Sequence, residues 1–159
     1  MQQGIPVTIG HARKITTSDV ERTSRLYYGN MIANFETPEN EVKIWNRAHL
    51  GEAVYSPIYR KYNGDYVFSY EQMHNATEGA WKDVFLLVFI DYPGALVKRE
   101  DGNSFSSTVE GKQREIDAFT RAFKCSCIPN KCLINIGEIG DADKVFKYII
   151  DYIDNSRSH

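Results

Sequence analysis

The sequence predicts an α+β or α/β fold, with a single mixed β-sheet that carries helices on both of its faces. The continuous apolar stretch "VFLLVFID" over 84–91 is typical of a strand buried on both sides, and "CLINIGE" over 132–138 predicts a second apolar strand. A helical pattern over 109–124 separates them, and helical patterns also lie near the start and at the end of the chain. This order predicts a C-terminal βαβα unit, preceded by a helix and a β-hairpin.

The first helix is predicted in "TTSDVERTSRLYYGNMIANF", where Val20, Tyr27 and Met31 recur on one face. The following "ETPEN" ends this helix, because the residue before Pro38 is kept out of the α region. Residues 41–45, "EVKIW", then alternate polar and apolar side chains, as a short strand does.

The segment "IYRKYNGDYVFSYEQ" carries Asn63-Gly64 between aromatic and β-branched residues, which is the strongest short-range signal for a β-hairpin. A two-residue turn would place four aromatic rings on one hairpin face: Tyr59, Tyr66, Phe68 and Tyr70. The alternative is a helix that begins at Ser56-Pro57, where proline is favoured, and ends at Asn63-Gly64. We favour the hairpin.

Two helices complete the C-terminal part. Ser107 and Glu110 match a capping box at the start of helix 109–124. The predicted inner stripe of that helix is Ile116, Phe119 and Phe123. Asp141 or Asp143 is predicted to cap the last helix, whose predicted buried face is Val145, Ile149, Tyr152 and Ile153.

The chain of 159 residues fits one globular domain, 1–159, with no repeat or linker that would divide it. Nineteen basic and twenty-one acidic residues leave a net charge of −2, so a nucleic acid partner is not expected. The longest apolar run is far shorter than the roughly 20 residues that span a bilayer, so no membrane partner is expected. The start of the chain has no secretory signal pattern, and we expect a cytoplasmic location.

The apolar stretch 84–91 ends on a carboxylate, Asp91, and this predicts a site. In a βαβ unit the carboxyl ends of parallel strands meet at one edge of the sheet, where α/β folds bind ligands. Asp91 and Glu138 would lie side by side at that edge. The helix that crosses between the strands would begin there and present free N–H groups to a phosphate. Further hydroxyl and cationic groups of the predicted site are Ser104, Ser106, Thr108, Lys112 and Arg114. The simpler interpretation is that Asp91 only starts a turn.

Three functions remain open. The first is a binding or regulatory domain for a small phosphorylated or nucleotide-like ligand at this edge. The second is a protein-interaction domain that forms a homo-oligomer through exposed aromatic surface. The third is a metal-dependent phosphodiesterase or nuclease, with Mg²⁺ held by Asp91 and Glu138. Whether the protein is an enzyme stays undecided at this point.

The third function has one structural parallel. The predicted order of helices and strands resembles that of the PD-(D/E)XK nucleases. Those enzymes need a lysine close to the second acid, and here Asp91 is followed by Tyr92-Pro93, with Lys98 the nearest lysine after it. The resemblance is therefore one of element order.

Cys125, Cys127 and Cys132 have the spacing C-x-C-x₄-C. Thiolates at such a spacing can bind zinc, but a structural zinc site uses four ligands. The alternative is that these small side chains pack as apolar groups where a helix passes into a strand.

Overall fold

The computed structural model of the chain describes residues 6–11, 19–36, 41–76, 81–102 and 104–157. The predicted mixture of helices and strands is confirmed. Internal contacts divide the chain into two compact units, Met1–Trp81 and Lys82–His159. The single domain 1–159 stays a prediction, because compact units of this kind occur both inside one domain and in separate domains.

The first unit contains two strands and three α-helices among its described residues. They are β1 (Val7–His11), α1 (Val20–Ala33), β2 (Val42–Asn46), α2 (Leu50–Tyr55) and α3 (Tyr66–His74), with a π-helical segment at Ser56–Arg60 between α2 and α3. β1 and β2 pair in parallel, with Val7 opposite Val42, so the predicted strand at 41–45 is confirmed. Asp19 caps α1 by accepting the backbone N–H of Arg22. Pro38, the predicted cause of the end of α1, lies outside the described residues.

The second unit is the predicted βαβα unit. It consists of β3 (Phe85–Ile90), α4 (Pro93–Lys98), α5 (Val109–Cys125), β4 (Asn130–Asn135), α6 (Ile136–Ile139) and α7 (Ala142–Arg157). β3 and β4 pair in parallel, and their register places Ile90 opposite Asn135. Both strands therefore end at the same edge, as the sequence predicts.

Helices cover both faces of the β3–β4 sheet. On one face, Lys131 of β4 donates a hydrogen bond of 3.0 Å to the carbonyl of Phe123 on α5. On the other face, the rings of Phe85 and Tyr152 of α7 meet edge to face, with their centroids 6.3 Å apart. The predicted inner stripe of α5 is half-buried, while Lys112, Glu115 and Ala122 are buried.

The single mixed sheet is not confirmed. Within the described ranges the strands form two separate two-stranded sheets, β1–β2 and β3–β4, and both are parallel. No described helix is long and apolar enough to cross a membrane. The cytoplasmic location stays a prediction.

The predicted β-hairpin is wrong. Asn63-Gly64 joins the π-helical segment to α3, and Asn63 Oδ1 accepts the backbone N–H of Asp65 at 2.8 Å. Gly64 packs directly on α2: a Cβ atom there would lie 2.7 Å from the carbonyl carbon of Glu52. Lys61 has a left-handed backbone with φ 61°, which ends the helical segment. Gly64 thus permits close approach of this connecting segment to α2, a tertiary requirement that the local pattern does not reveal. The alternative, a helix from Ser56-Pro57, is closer to the structure.

A buried polar network lies between α1, α2 and α3. Glu52 of α2 is fully buried, and its Oε1 accepts hydrogen bonds from the hydroxyls of Tyr62 at 2.6 Å and Tyr66 at 3.0 Å. Its Oε2 accepts from Arg60 at 2.8 Å. Burial, followed by the charge of Glu52, raises the pKa of Tyr66. The Tyr62 oxygen also lies 3.1 Å from the hydroxyl oxygen of Ser24 on α1, from which it can accept a hydrogen bond, so one carboxylate connects the three helices.

Candidate ligand-binding site

Asp91 follows β3 directly and is almost buried, with 6% of its surface exposed. One carboxylate oxygen, Oδ1, accepts the backbone N–H of Tyr92 at 2.7 Å. The other, Oδ2, accepts a hydrogen bond from the guanidinium of Arg99. The carboxylate is therefore held by two donors. Asp91 does not only start a turn, because it also binds the side chain of Arg99.

Arg99 is the residue that the sequence prediction missed. The segment after Asp91 is the helix α4, with Pro93 in its first turn, rather than a simple turn. Arg99 is the C-cap of this six-residue helix, and its side chain reaches back to the carboxylate of Asp91. The proline indicates the start of this helix, but no local signal indicates the contact of Arg99 with Asp91. No described residue accepts a hydrogen bond from Nη1 of Arg99, whose side chain is 54% exposed.

The Asp91–Arg99 pair lines a cavity of about 400 Å³. A volume of this size suits a small-molecule ligand. Asp141, the N-cap of α7, also lines it, and its backbone and side-chain bonds from Lys144 lower the pKa of its carboxyl group. The predicted capping by Asp141 is thereby confirmed. The apolar wall of the cavity is formed by Phe89, Ile136, Ala142, Val145, Phe146 and Ile149.

Glu138 is not one of the described residues that line this cavity. Its carboxylate accepts a hydrogen bond of 2.8 Å from the side chain of Asn135. The neighbouring Gly137 lies against Asp91 instead. A Cβ atom on Gly137 would overlap Asp91 Oδ1 and would lie 2.8 Å from the ring of Tyr92. The carboxyl ends of β3 and β4 therefore meet as predicted, but through a glycine backbone.

The loop before α5 is bound to Glu100. The carboxylate of Glu100 accepts the backbone N–H groups of Gly102 at 3.0 Å and Ser104 at 3.2 Å. Thr108 is the N-cap of α5, and its hydroxyl accepts from Gly111 at 3.1 Å. The predicted capping box of Ser107 and Glu110 is therefore wrong, because the helix begins one residue later.

The other predicted residues of this segment also lie apart from the cavity. The side chain of Ser106 packs against Gly111, since a Cβ atom added to Gly111 would overlap the hydroxyl oxygen of Ser106. Lys112 is buried and forms an ion pair of 2.8 Å with Glu100. Arg114 is exposed on α5. Of the seven predicted ligand-binding residues, Asp91 is the one that appears among the described residues lining the cavity.

Glu100 should make the second unit sensitive to acid. The ion pair with Lys112, followed by the bond from Ser104, lowers the pKa of Glu100 from 4.5 to about 2. A lowered pKa in the folded state stabilises the protein above the unfolded value, and this contribution is lost as the pH falls from 4.5 towards about 2. We expect the free energy of unfolding to fall less steeply in this range for Glu100→Gln than for the wild type.

The measurement is urea unfolding followed by circular dichroism at a series of pH values. Glu110→Gln, a change at an exposed position of α5, is the matched control and should follow the wild-type curve. Parallel pH curves for Glu100→Gln and the wild type would contradict the prediction.

Within the described ranges no group of three or more His, Cys, Asp or Glu residues could hold a metal ion. Magnesium at Asp91 and Glu138 stays a prediction. Cys125, Cys127 and Cys132 are not joined in a disulfide in the described part of the chain, and Cys125 is exposed. The sulfur of Cys132 lies 3.7 Å from the hydroxyl of Tyr148 on α7.

Comparison of the chain with protein-family models, with curated proteins and with solved structures found no match.

Proposed function

We propose that the second unit binds a small phosphorylated or nucleotide-like ligand in the cavity beside Asp91 and Arg99. The observation that carries this proposal is a nearly buried carboxylate that holds a half-exposed guanidinium at a cavity with apolar walls. Arginine binds phosphate with several N–H donors at once, and Nη1 of Arg99 is directed at no described acceptor. Asp91 fixes the guanidinium, which lowers the entropy lost on binding.

The remaining walls suit the uncharged part of such a ligand. Phe89 is 49% exposed and Phe146 is 65% exposed, so both present aromatic surface to a ring. Aromatic side chains stack on nucleobases with little dependence on sequence. The start of α7 is already capped by Asp141, so we assign the phosphate to Arg99 and not to the helix N-terminus.

The second candidate is self-association through the same surface. Phe146 and Ile150 lie one turn apart on α7, and both are exposed, as is Phe89. Large exposed apolar patches often mark protein–protein contacts. A symmetric contact of α7 with its copy would cover these side chains.

The test is thermal unfolding with AMP, ADP, ATP or pyrophosphate, each with and without Mg²⁺. Ligand at 100 times its Kd stabilises the folded state by about 2.7 kcal/mol. For a chain of this size that corresponds to a rise in Tm of about 5–10 °C. Arg99→Gln should abolish the rise, because the phosphate contact is lost while the cavity keeps its walls. Lys98→Gln, the exposed neighbour on α4, is the matched control and should keep it.

Three other results would speak against this assignment. A rise that survives in Arg99→Gln but is lost in Ser104→Ala would move the ligand to the loop before α5. A flat panel, together with a dimer mass by light scattering that Phe146→Asp returns to the monomer mass, would favour self-association. Turnover of a nucleotide that requires Mg²⁺ would instead support the phosphodiesterase.

A further inference from the structure

The charges around the cavity beside Asp91 are unequal. Among the described residues that line it, Arg99 is the one cation. Its charge is already balanced in part by Asp91, whose carboxylate binds the guanidinium. A second carboxylate, that of Asp141, lines the same cavity. The described lining can therefore bind one phosphate at Arg99, but it offers no further cation to a second phosphate.

Asp141 keeps its negative charge at neutral pH. Its Oδ1 accepts the backbone N–H of Lys144 at 2.9 Å, and its Oδ2 lies 2.9 Å from the ammonium of Lys144. These two bonds, the backbone one first, lower the pKa of Asp141. The side chains of Lys144 and Asp141 are 71% and 53% exposed, and an exposed ion pair of this kind is weak. Lys144 therefore screens the charge of Asp141 only in part.

Backbone N–H groups bind phosphates in many proteins, but those of the two glycines in the lining are already used. The N–H of Gly137 donates to the side chain of Asn135 at 3.1 Å. The N–H of Gly140 donates to the carbonyl of Ile136 at 3.0 Å. A second phosphate placed here would lose water without gaining these donors, which is unfavourable for a charged group.

The rest of the cavity suits an uncharged ring. Its volume of about 400 Å³ lies in the lower part of the range of small-molecule sites. Phe89 and Phe146 present exposed aromatic surface along it. A nucleoside monophosphate joins one phosphate to one such ring.

We propose that this cavity selects nucleoside monophosphates over the di- and triphosphates, and that Asp141 is the residue that determines this specificity. The proposal rests on the proposed function, in which Arg99 binds the phosphate. The added phosphates of ADP and ATP bring negative charge to a cavity whose Arg99 is already engaged and whose Asp141 repels them. Repulsion of this kind separates two ligands without any new contact to the preferred one.

The experiment is calorimetric titration with AMP, ADP and ATP, without divalent cations and at constant ionic strength. We expect the Kd to rise on the order of two- to fivefold with each added phosphate, as for a half-exposed pair of like charges. Asp141→Asn removes the charge but keeps a side chain that caps helices equally well, so the three Kd values should become nearly equal. Added salt should reduce the discrimination in the wild type and have little effect on it in Asp141→Asn, because salt screens exposed charges.

The matched control is Asp143→Asn, the same change of charge at an exposed position of α7 that is not among the described lining residues. It should keep the order AMP, ADP, ATP. An unchanged Tm of Asp141→Asn without ligand excludes an effect of folding.

Two results would overturn this specificity alone, if Arg99→Gln abolishes binding as expected. One is equal affinity for the three nucleotides, or tighter binding of ATP, in the wild type. The other is discrimination that persists in Asp141→Asn. Absence of binding, or binding that survives in Arg99→Gln, would overturn the proposed function and the specificity with it.

Discussion

Replacing Glu52 by alanine is expected to lower the free energy of unfolding of the first unit by about 3–5 kcal/mol, as for other buried ion pairs that lose one partner. The substitution removes the acceptor of Arg60 and of the hydroxyls of Tyr62 and Tyr66 at once. The Arg60 side chain is 20% exposed, so its charge would stay largely desolvated and unpaired. Both tryptophans, Trp45 and Trp81, lie in this unit, so urea unfolding followed by tryptophan fluorescence reports on it.

The control for Glu52→Ala is Glu21→Ala, which removes the exposed ion pair of Glu21 with Arg25 on α1. Exposed pairs contribute less than about 1 kcal/mol. Tyr66→Phe removes one of the three donors and should cost about 1 kcal/mol. Similar losses for Glu52→Ala and Glu21→Ala would show that the buried network does not hold the three helices together.

Gly64→Ala is expected to destabilise the first unit by about 1–3 kcal/mol, the usual cost of an atom added to packed structure. The new Cβ would overlap the carbonyl group of Glu52 and would lie 3.0 Å from Cα of Ala53, so α2 itself would have to shift. Because these are backbone atoms, no side-chain rotation can relieve the contact. The same fluorescence measurement gives the change.

Gly51→Ala is the matched control for Gly64→Ala. Gly51 lies in α2, and a Cβ atom there would meet the ring of Tyr55 at an ordinary 3.6 Å. Alanine is preferred over glycine inside helices by about 1 kcal/mol, so this variant should be at least as stable as the wild type. Equal stability of the two alanine variants would mean that the close approach of Gly64 to α2 is not required.

Some residues of the candidate site could be predicted from the sequence, and others could not. The sequence predicts Asp91 as a site residue, because a carboxylate at the end of an apolar strand is a local pattern. The sequence does not predict Arg99, because its pairing with Asp91 depends on the direction that α4 takes after Pro93. Lys112 was assigned to a phosphate from its position near a helix start, but its charge is used by Glu100, across the loop.

The sequence by itself determined the second unit: two apolar strands, the amphipathic helices after each of them, and the meeting of the strand ends at Asp91. These features follow from the spacing of apolar side chains in helices and strands, a pattern that can be recognised within a few residues. The tertiary structure alone decided the course of residues 56–74, the pairing of Arg99 and Lys112, and the polar centre around Glu52. There the stable arrangement depends on contacts between distant segments: a glycine closes onto a helix, and buried charges select their partners.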